Sequence, residues 1–444
     1  MKRPNLALLL SGLLLAGCAG SLPGPDTALE AAPVAQNCPD AAPAGTRCLA
    51  GQDRAGAFYL IAIPADWNGH LVLHAHGGPE LGAPSMKRTE EDFKRWSITV
   101  RAGYAWAGSS FRQGGVALRA AAEDTERLNR IFRRHVAVPK RTILHGQSWG
   151  AGVAAMGAEM YGRAYDGVLL TSGVLAGGTR SYDFRLDLRV VYQYLCNNHP
   201  APNEPAYPLW QGLPEGAALT RPELTRRVND CLGLDKPAAQ RSPEQQAKVK
   251  TIADVIKIPE RSIQGHLAWA TWHFQDIAQK RTAGRSAFGN SGVRYAGSAD
   301  DASLNAGVLR YRADPQAVAS FGADTDPSGR IRLPVVTVKG LNDPTAFVEL
   351  DAYFRSTMER AGQGGNLVQS FTEHADHSYL ADPVYPALFA ALLGWIETGT
   401  KPNPAGIAAA CQALEARYGN APCRFRVAYT PPALETRVPP RDRP

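Results

Sequence analysis

The segment Gly146-Gln-Ser148-Trp-Gly150 places one serine midway between two glycines. A short apolar run precedes it, and small residues typical of a helix follow over residues 151–161. A serine at the tip of a sharp strand-to-helix turn needs strained backbone angles and no bulk two residues away. Free N–H groups at the start of the helix would stabilise developing negative charge. The pattern predicts that Ser148 is a nucleophile; the alternative is an ordinary glycine-rich turn.

A serine nucleophile needs a histidine that removes its proton. Only two of the ten histidines, His374 and His377, follow a plausible acidic partner late in the chain. We predict that His377 is the base, because residues 376–379 form the loop between the last predicted strand and the last predicted helix. His374 lies closer to the strand end and is the alternative.

The histidine in turn needs a carboxylate that orients it. Asp343 lies in Gly340-Leu-Asn-Asp343-Pro344, directly after a predicted strand over residues 334–339. The carboxyl ends of parallel strands face the ligand site in open α/β sheets, so we predict that Asp343 is this acid. Its alternative role is the N-cap of a helix that starts near Thr345. Asp324 and Asp326 are weaker candidates because they precede the strand.

Two backbone N–H groups are needed to hold the oxyanion of a tetrahedral intermediate. One is expected from Trp149, the residue after the nucleophile. The other is expected from His76-Gly77-Gly78, which follows a predicted strand; Pro79 has no N–H, so Gly78 is the predicted donor. The alternative is a tight turn that only ends the strand.

These motifs, in the chain order serine, aspartate, histidine, resemble the α/β-hydrolase superfamily, near its esterase and prolyl-oligopeptidase-like branches. The resemblance covers roughly residues 56–174 and 333–400. It implies a serine hydrolase that cleaves carboxylic esters of small molecules through an acyl-enzyme, without a metal or organic cofactor. Two alternatives stay open: a serine peptidase of the prolyl-oligopeptidase-like type, and a non-catalytic binding lipoprotein built on a hydrolase fold.

The elements around these residues alternate between strands and helices, which favours an α/β fold with a doubly wound, mostly parallel sheet. The alternation stops near Leu175 and resumes near Pro334, so a large, mainly helical cap insertion is expected between two parts of one core. The predicted segments are a signal peptide with lipobox (1–18), an Ala/Pro/Gly-rich tether (19–55), the first core part (56–174), the cap insertion (175–333), the second core part (334–400) and a Pro-rich tail (401–444).

The first 18 residues are typical of a targeting segment. Lys2 and Arg3 precede an apolar run over residues 6–15 that is too short to span a bilayer. Leu15-Ala-Gly-Cys18 resembles a bacterial lipobox, which implies acylation of Cys18 and a permanent membrane tether. We therefore expect an exported protein anchored to the bacterial cell envelope, with the outer membrane favoured. The alternative is a secretory signal cut near Ala19.

The remaining six cysteines are an even number, as expected of an exported protein. Six cysteines allow fifteen pairings. We predict that neighbours in sequence are joined, and no Cys-x-x-Cys or His/Cys cluster indicates a metal site. The predicted pairs are Cys38–Cys48, Cys196–Cys231 and Cys411–Cys423.

The net charge is +7, but Lys and Arg are scattered among 41 acidic residues, so nothing favours nucleic-acid binding. The cap could supply the substrate pocket. Arg185 and Arg189 could bind an anionic substrate or could lie on a solvated helix face, and His273 is expected to be structural. The aromatic residues of the cap could line a pocket or form its core: Trp210, Trp269, Trp272, Phe274, Tyr192 and Tyr194.

Overall fold

A single nine-stranded sheet forms the centre of the computed structural model, which describes residues 22–444. The spatial strand order is β1-β2-β3-β5-β4-β6-β7-β8-β9. The first three strands are antiparallel to their neighbours, and the six strands from β5 to β9 in this order are parallel. The strands are β1 (Val34–Gln36), β2 (Arg47–Gln52), β3 (Phe58–Ile63), β4 (His70–Ala75), β5 (Ala105–Ser109), β6 (Arg141–Gln147), β7 (Gly167–Thr171), β8 (Val335–Gly340) and β9 (Leu367–Thr372).

Helices cover both faces of this sheet. Buried side chains of α3 and α4 pack on one face, and those of α1 and α13 pack on the other. The α-helices are α1 (Met86–Trp96), α2 (Ile98–Arg101), α3 (Leu118–His135), α4 (Trp149–Tyr161), α5 (Gly178–Ser181), α6 (Asp183–Cys196), α7 (Arg221–Leu232), α8 (Pro243–Ile256), α9 (Ile263–Asp276), α10 (Asp301–Gly307), α11 (Pro315–Thr325), α12 (Val348–Arg360), α13 (Val384–Thr398) and α14 (Pro404–Leu414).

The sequence pattern explains these elements. All six residues of β4 are buried, as expected of a strand with helices on both faces. Helix α3 buries residues at helical spacing, including Leu128, Ile131 and Phe132, and its exposed residues are Arg119, Arg133 and Arg134. The fold class predicted from the sequence, a doubly wound and mostly parallel sheet, is confirmed.

Between β7 and β8 the chain forms helices α5–α11 and no named strand. Helix α8 spans Pro243–Ile256, as the sequence predicts, because Ser242 and Gln245 form a capping box and Pro243 occupies the first helical position. The disulfide Cys196–Cys231 joins the end of α6 to α7. We refer to residues 175–333 as the cap.

The interpretation of residues 19–55 as a tether is wrong for its second half. β1 and β2 extend the sheet, and Cys48, Leu49 and Ala50 of β2 are buried. The strands are short and lie at the antiparallel edge, where pairing with β3 supplies stability that a local pattern does not reveal. The predicted disulfide Cys38–Cys48 is present in this region.

The interpretation of residues 401–444 as a tail also needs correction. Helix α14 packs on the core, and the predicted disulfide Cys411–Cys423 closes the loop after it. The last residues pack against the cap, where Arg441 and Arg443 contact Asp183 at the start of α6. The proline-rich composition of this segment does not predict that its charged groups are buried against distant partners.

Among residues 22–444, no helix is both long enough and apolar enough to cross a bilayer. The predicted signal peptide and the lipobox cysteine Cys18 lie outside the described residues.

Candidate active site

Ser148 lies at the turn between β6 and α4, with backbone angles φ 55° and ψ −118°. A non-glycine residue rarely adopts a positive φ, and the surrounding contacts impose it here. A Cβ atom on Gly146 would collide with the carbonyl oxygen of Gly150, and one on Gly150 would collide with the carbonyl oxygens of Ala75 and His76. Both glycines of the motif are therefore required by close backbone approach.

Ser148, His377 and Asp343 form one chain of hydrogen bonds. Ser148 Oγ lies 2.7 Å from His377 Nε2, and His377 Nδ1 lies 2.8 Å from Asp343 Oδ2. The arrangement requires Nδ1 to carry the proton that is donated to Asp343, which leaves Nε2 free to accept from the serine hydroxyl. The Asp343 side chain is fully buried, and that of His377 is 22% exposed.

The loop after β8 holds Asp343 in place. Its Oδ1 accepts hydrogen bonds from the backbone N–H groups of Thr345 and Ala346, both at 2.8 Å. Helix α12 starts later, at Val348, with Phe347 as its N-cap. Asp343 therefore closes a turn in the loop and is not the N-cap of the following helix.

The residues considered as alternatives for the base and the acid form hydrogen bonds elsewhere. His374 Nδ1 lies 3.0 Å from Thr372 Oγ1, and burial lowers the pKa of His374 below its usual value. Asp324 accepts from the backbone N–H groups at the start of α3, and Asp326 accepts from Thr179. None of the three contacts Ser148 or His377 through a hydrogen bond.

The predicted oxyanion donors lie after the end of β4 and at the start of α4. Gly78 has φ 76°, a conformation that favours glycine, and it follows the end of β4, which pairs with β6. Trp149 is the first residue of α4, where N–H groups lack an intrahelical partner. Neither N–H donates to another group among residues 22–444, so both are available to a ligand.

The sheet topology and the strand-to-helix turn at Ser148 identify the fold. The chain has the α/β-hydrolase fold. No protein-family model and no curated protein matches the sequence.

Three solved structures align with this chain at low sequence identity. Puromycin hydrolase is 13% identical with a TM-score of 0.36; the alignment covers 82% of this chain and 40% of that chain, so this chain spans less than half of it. Feruloyl esterase B from Aspergillus oryzae is 12% identical with a TM-score of 0.40, covering 84% and 86%. Tannin acyl hydrolase from Aspergillus niger is 10% identical with a TM-score of 0.40, covering 87% of both chains. At these scores none of the three indicates a substrate.

Sequence reasoning missed two residues that hold the loops of the site. Gln147, the residue before Ser148, donates a hydrogen bond from Nε2 to Ser378 Oγ at 2.7 Å. This bond links the end of β6 to the loop that carries His377. Arg88 Nη2 donates to the carbonyl oxygen of Gly77 at 2.5 Å, which fastens the loop that carries Gly78. The position of Gln147 next to Ser148 was a usable signal, whereas Arg88 lies on α1 and no local pattern links it to the site.

The histidine at the start of the Gly-Gly loop is neutral. His76 stacks on Phe111 with ring centroids 4.3 Å apart, and its Nδ1 lies 3.1 Å from Arg88 Nη2. Burial, followed by the positive charge of Arg88, lowers the pKa of His76 to about 3. His76 therefore accepts a hydrogen bond from Arg88 and acts as a support for the loop.

One face of α9 joins the cap to both loops of the site. His266 Nε2 donates to the carbonyl oxygen of Pro344, beside Asp343, at 2.9 Å. His273 Nε2 donates to the carbonyl oxygen of Pro79, beside Gly78, at 3.0 Å. The two histidines are seven residues apart and so share a face of the helix. These contacts support the expected structural role of His273.

The cap arginines do not lie on a solvated helix face. Arg185 is 3% exposed and Arg189 is fully buried. Of the cap aromatics, Phe274 and Tyr192 are buried in the cap core, whereas Tyr194 is exposed. Trp269 lies on the site-facing side of α9, stacked on His273 with centroids 4.6 Å apart.

No group of three or more His, Cys, Asp or Glu side chains within residues 22–444 is arranged to hold a metal ion.

Proposed function

We propose that this protein is an exported serine hydrolase that cleaves carboxylic esters of small molecules. The proposal rests on the hydrogen-bonded chain Ser148–His377–Asp343 at a strained strand-to-helix turn. Three side chains far apart in sequence meet with the polarity that activates a hydroxyl group. A serine without a role in chemistry would gain nothing from this arrangement.

In the proposed mechanism, His377 Nε2 takes the proton of Ser148 while Oγ attacks the ester carbonyl carbon. The N–H groups of Gly78 and Trp149 hold the oxyanion of the tetrahedral intermediate. His377 then gives its proton to the leaving alkoxide, which departs as an alcohol, and the acyl group stays on Ser148. Water attacks this acyl-enzyme with His377 again as base, which releases the carboxylic acid and restores the serine. Asp343 orients His377 and stabilises its positive charge.

The decisive experiment is labelling with a fluorophosphonate probe, which reacts only with an activated serine. The wild-type protein is expected to label and to hydrolyse nitrophenyl esters, and Ser148→Ala should do neither while its melting temperature is unchanged. Failure of the wild-type protein to label would show that the fold serves only for binding. A parallel panel of dipeptidyl anilides tests peptidase action, and faster cleavage of anilides than of esters would overturn the ester preference.

Export is supported by the three disulfides, because such bonds persist in oxidising compartments. Anchoring through acylated Cys18 is part of the proposal and is supported by the lipobox-like sequence alone. Metabolic labelling with a palmitate analogue tests it: the wild-type protein should incorporate label and sediment with membranes, and Cys18→Ser should do neither. A wild-type protein that is released unlabelled would contradict the anchor.

A further inference from the structure

Arg185 on α6 is a buried cation without a partner. Its side chain donates no hydrogen bond and forms no ion pair within residues 22–444, although the residue is only 3% exposed. Arg189, one turn further along the helix, differs because its Nη1 donates to Gly212, Ala270 and Thr271. An unpaired buried charge is costly, and a ligand that brought a negative charge would offset that cost.

Aromatic rings hold the guanidinium of Arg185 in place. Its Cζ lies 4.2 Å from the centroid of the Trp269 ring, 4.6 Å from that of Phe184 and 5.2 Å from that of Tyr182. Rings that cover the faces of a guanidinium leave its N–H edge free to donate. Two parallel N–H groups on one edge match the two oxygens of a carboxylate.

The same rings place Arg185 between the two loops of the active site. Trp269 stacks on His273, which bonds to the loop of Gly78. Phe184 packs against His266, which bonds to the loop of Asp343, with centroids 5.0 Å apart. The guanidinium therefore lies in the wall of the cap that spans the distance from the oxyanion donors to the acid.

Arg185 is charged, and the two histidines beside it are neutral. Burial lowers the pKa of Arg185 to about 10, which leaves the side chain protonated at neutral pH. Burial also lowers the pKa of His266 to about 3 and that of His273 to about 4, so both neighbours are neutral. A monovalent carboxylate would balance the charge of Arg185.

We propose that Arg185 is a specificity-determining residue that binds a carboxylate on the substrate, so that the natural substrates are esters carrying a second, free carboxyl group. This inference rests on the proposed ester hydrolase function. The carboxylate can belong to the acyl part or to the alcohol part of the ester, and the experiment separates the two.

The test compares two pairs of esters that differ in charge and are matched in shape. On the acyl side, nitrophenyl hydrogen adipate is compared with the nitrophenyl ester of 6-methylheptanoic acid. On the alcohol side, 4-carboxyphenyl acetate is compared with 4-isopropylphenyl acetate. In at least one pair, kcat/KM of the wild-type protein should be about 10- to 100-fold higher for the anionic ester, the range of one charge-assisted hydrogen-bonded contact.

Arg185→Gln should lower kcat/KM for the preferred anionic ester by about 10- to 100-fold and leave the neutral ester within about threefold. The matched control is Arg221→Gln, because Arg221 stacks on Trp272 of the same helix α9 at 4.5 Å but is exposed; it should keep the preference. Arg185→Lys should keep part of the preference for the anionic ester, since lysine retains the positive charge but lacks the planar guanidinium group.

Two results would overturn the proposal: equal kcat/KM within both pairs for the wild-type protein, or an anionic preference that survives in folded Arg185→Gln. The wild-type comparison decides the matter even if the variant does not fold. If neutral esters are cleaved without a charge preference, only this inference fails. If no ester is cleaved and the fluorophosphonate does not label, the proposed function itself fails.

Discussion

On the core side of the site, every polar side-chain atom of Ser148, His377 and Asp343 has a partner, whereas on the cap side Arg185 has none. The core side is complete without a ligand, because its hydrogen bonds run from one side chain to the next. The cap side holds a charge that only something from outside can neutralise. Under the proposed function, the core supplies the chemistry common to all esters and the cap selects among them.

A similar contrast exists between the two sides of helix α6. Asp183 and Asp187, four residues apart, lie on one side and are neutralised by Arg441 and Arg443. Arg185 points to the opposite side, toward α9. Asp183 and Asp187 form ion pairs within residues 22–444, and Arg185 forms none.

The largest expected effect concerns the core side. His377→Ala should lower kcat by about 10⁴- to 10⁶-fold for anionic and neutral esters alike, since it removes the base. His374→Ala is the matched control, and its kcat should stay within about tenfold of wild type because His374 bonds only to Thr372. Steady-state kinetics on both ester pairs measure this. A loss confined to anionic esters, or a larger loss in His374→Ala, would contradict the division between core and cap.

The second-largest expected effect concerns the side of α6 that carries the ion pairs of Asp183 and Asp187. Arg441→Gln should reduce the free energy of unfolding by about 3–5 kcal/mol, because Asp187 would remain buried without its cationic partner, while Asp183 keeps Arg443. Chemical denaturation measures the change, and Arg426→Gln serves as control since its ion pair with Glu373 is exposed. The charge preference among esters should persist in folded Arg441→Gln. Stability equal to that of the control would contradict the role given to this pairing.

The smallest effect concerns the contact between cap and core. Burial, followed by the charge of Arg185, lowers the pKa of His266 to about 3, whereas an unfolded histidine titrates near 6.5. The folded state therefore binds fewer protons, and the stability due to neutral His266 is complete above about pH 6.5 and lost as the pH falls.

His266→Gln removes this titration and keeps a donor for the carbonyl oxygen of Pro344. Wild type should lose up to about 1.4 kcal/mol per pH unit relative to the variant below about pH 6.5. Urea unfolding at several pH values between about 5 and 8 measures the difference. Parallel stability curves for the two proteins would show that the folded and unfolded states bind protons equally at His266, which would contradict the lowered pKa.

Much of the fold and of the site follows from local patterns. The Gly-x-Ser-x-Gly turn and the loops of Asp343 and His377 are each specified by a short stretch of sequence. They could be predicted because strand ends, turn residues and chain order depend on neighbours in sequence. The edge strands β1 and β2 and the docking of the last residues on the cap were not predicted, because both depend on partners far away along the chain.

The sequence alone determined the order serine, aspartate, histidine and the glycine spacing that strains Ser148. Which of the two late histidines lies beside that serine depended on how β6, β8 and β9 are aligned in the sheet. The burial of Arg185 and its lack of a partner were also decided by the tertiary structure. Its position on α6 is compatible with a solvated helix face, and only the packing of α9 and its rings turned it into a buried, unpaired cation. Burial and pairing are properties of contacts between distant segments, which no local pattern contains.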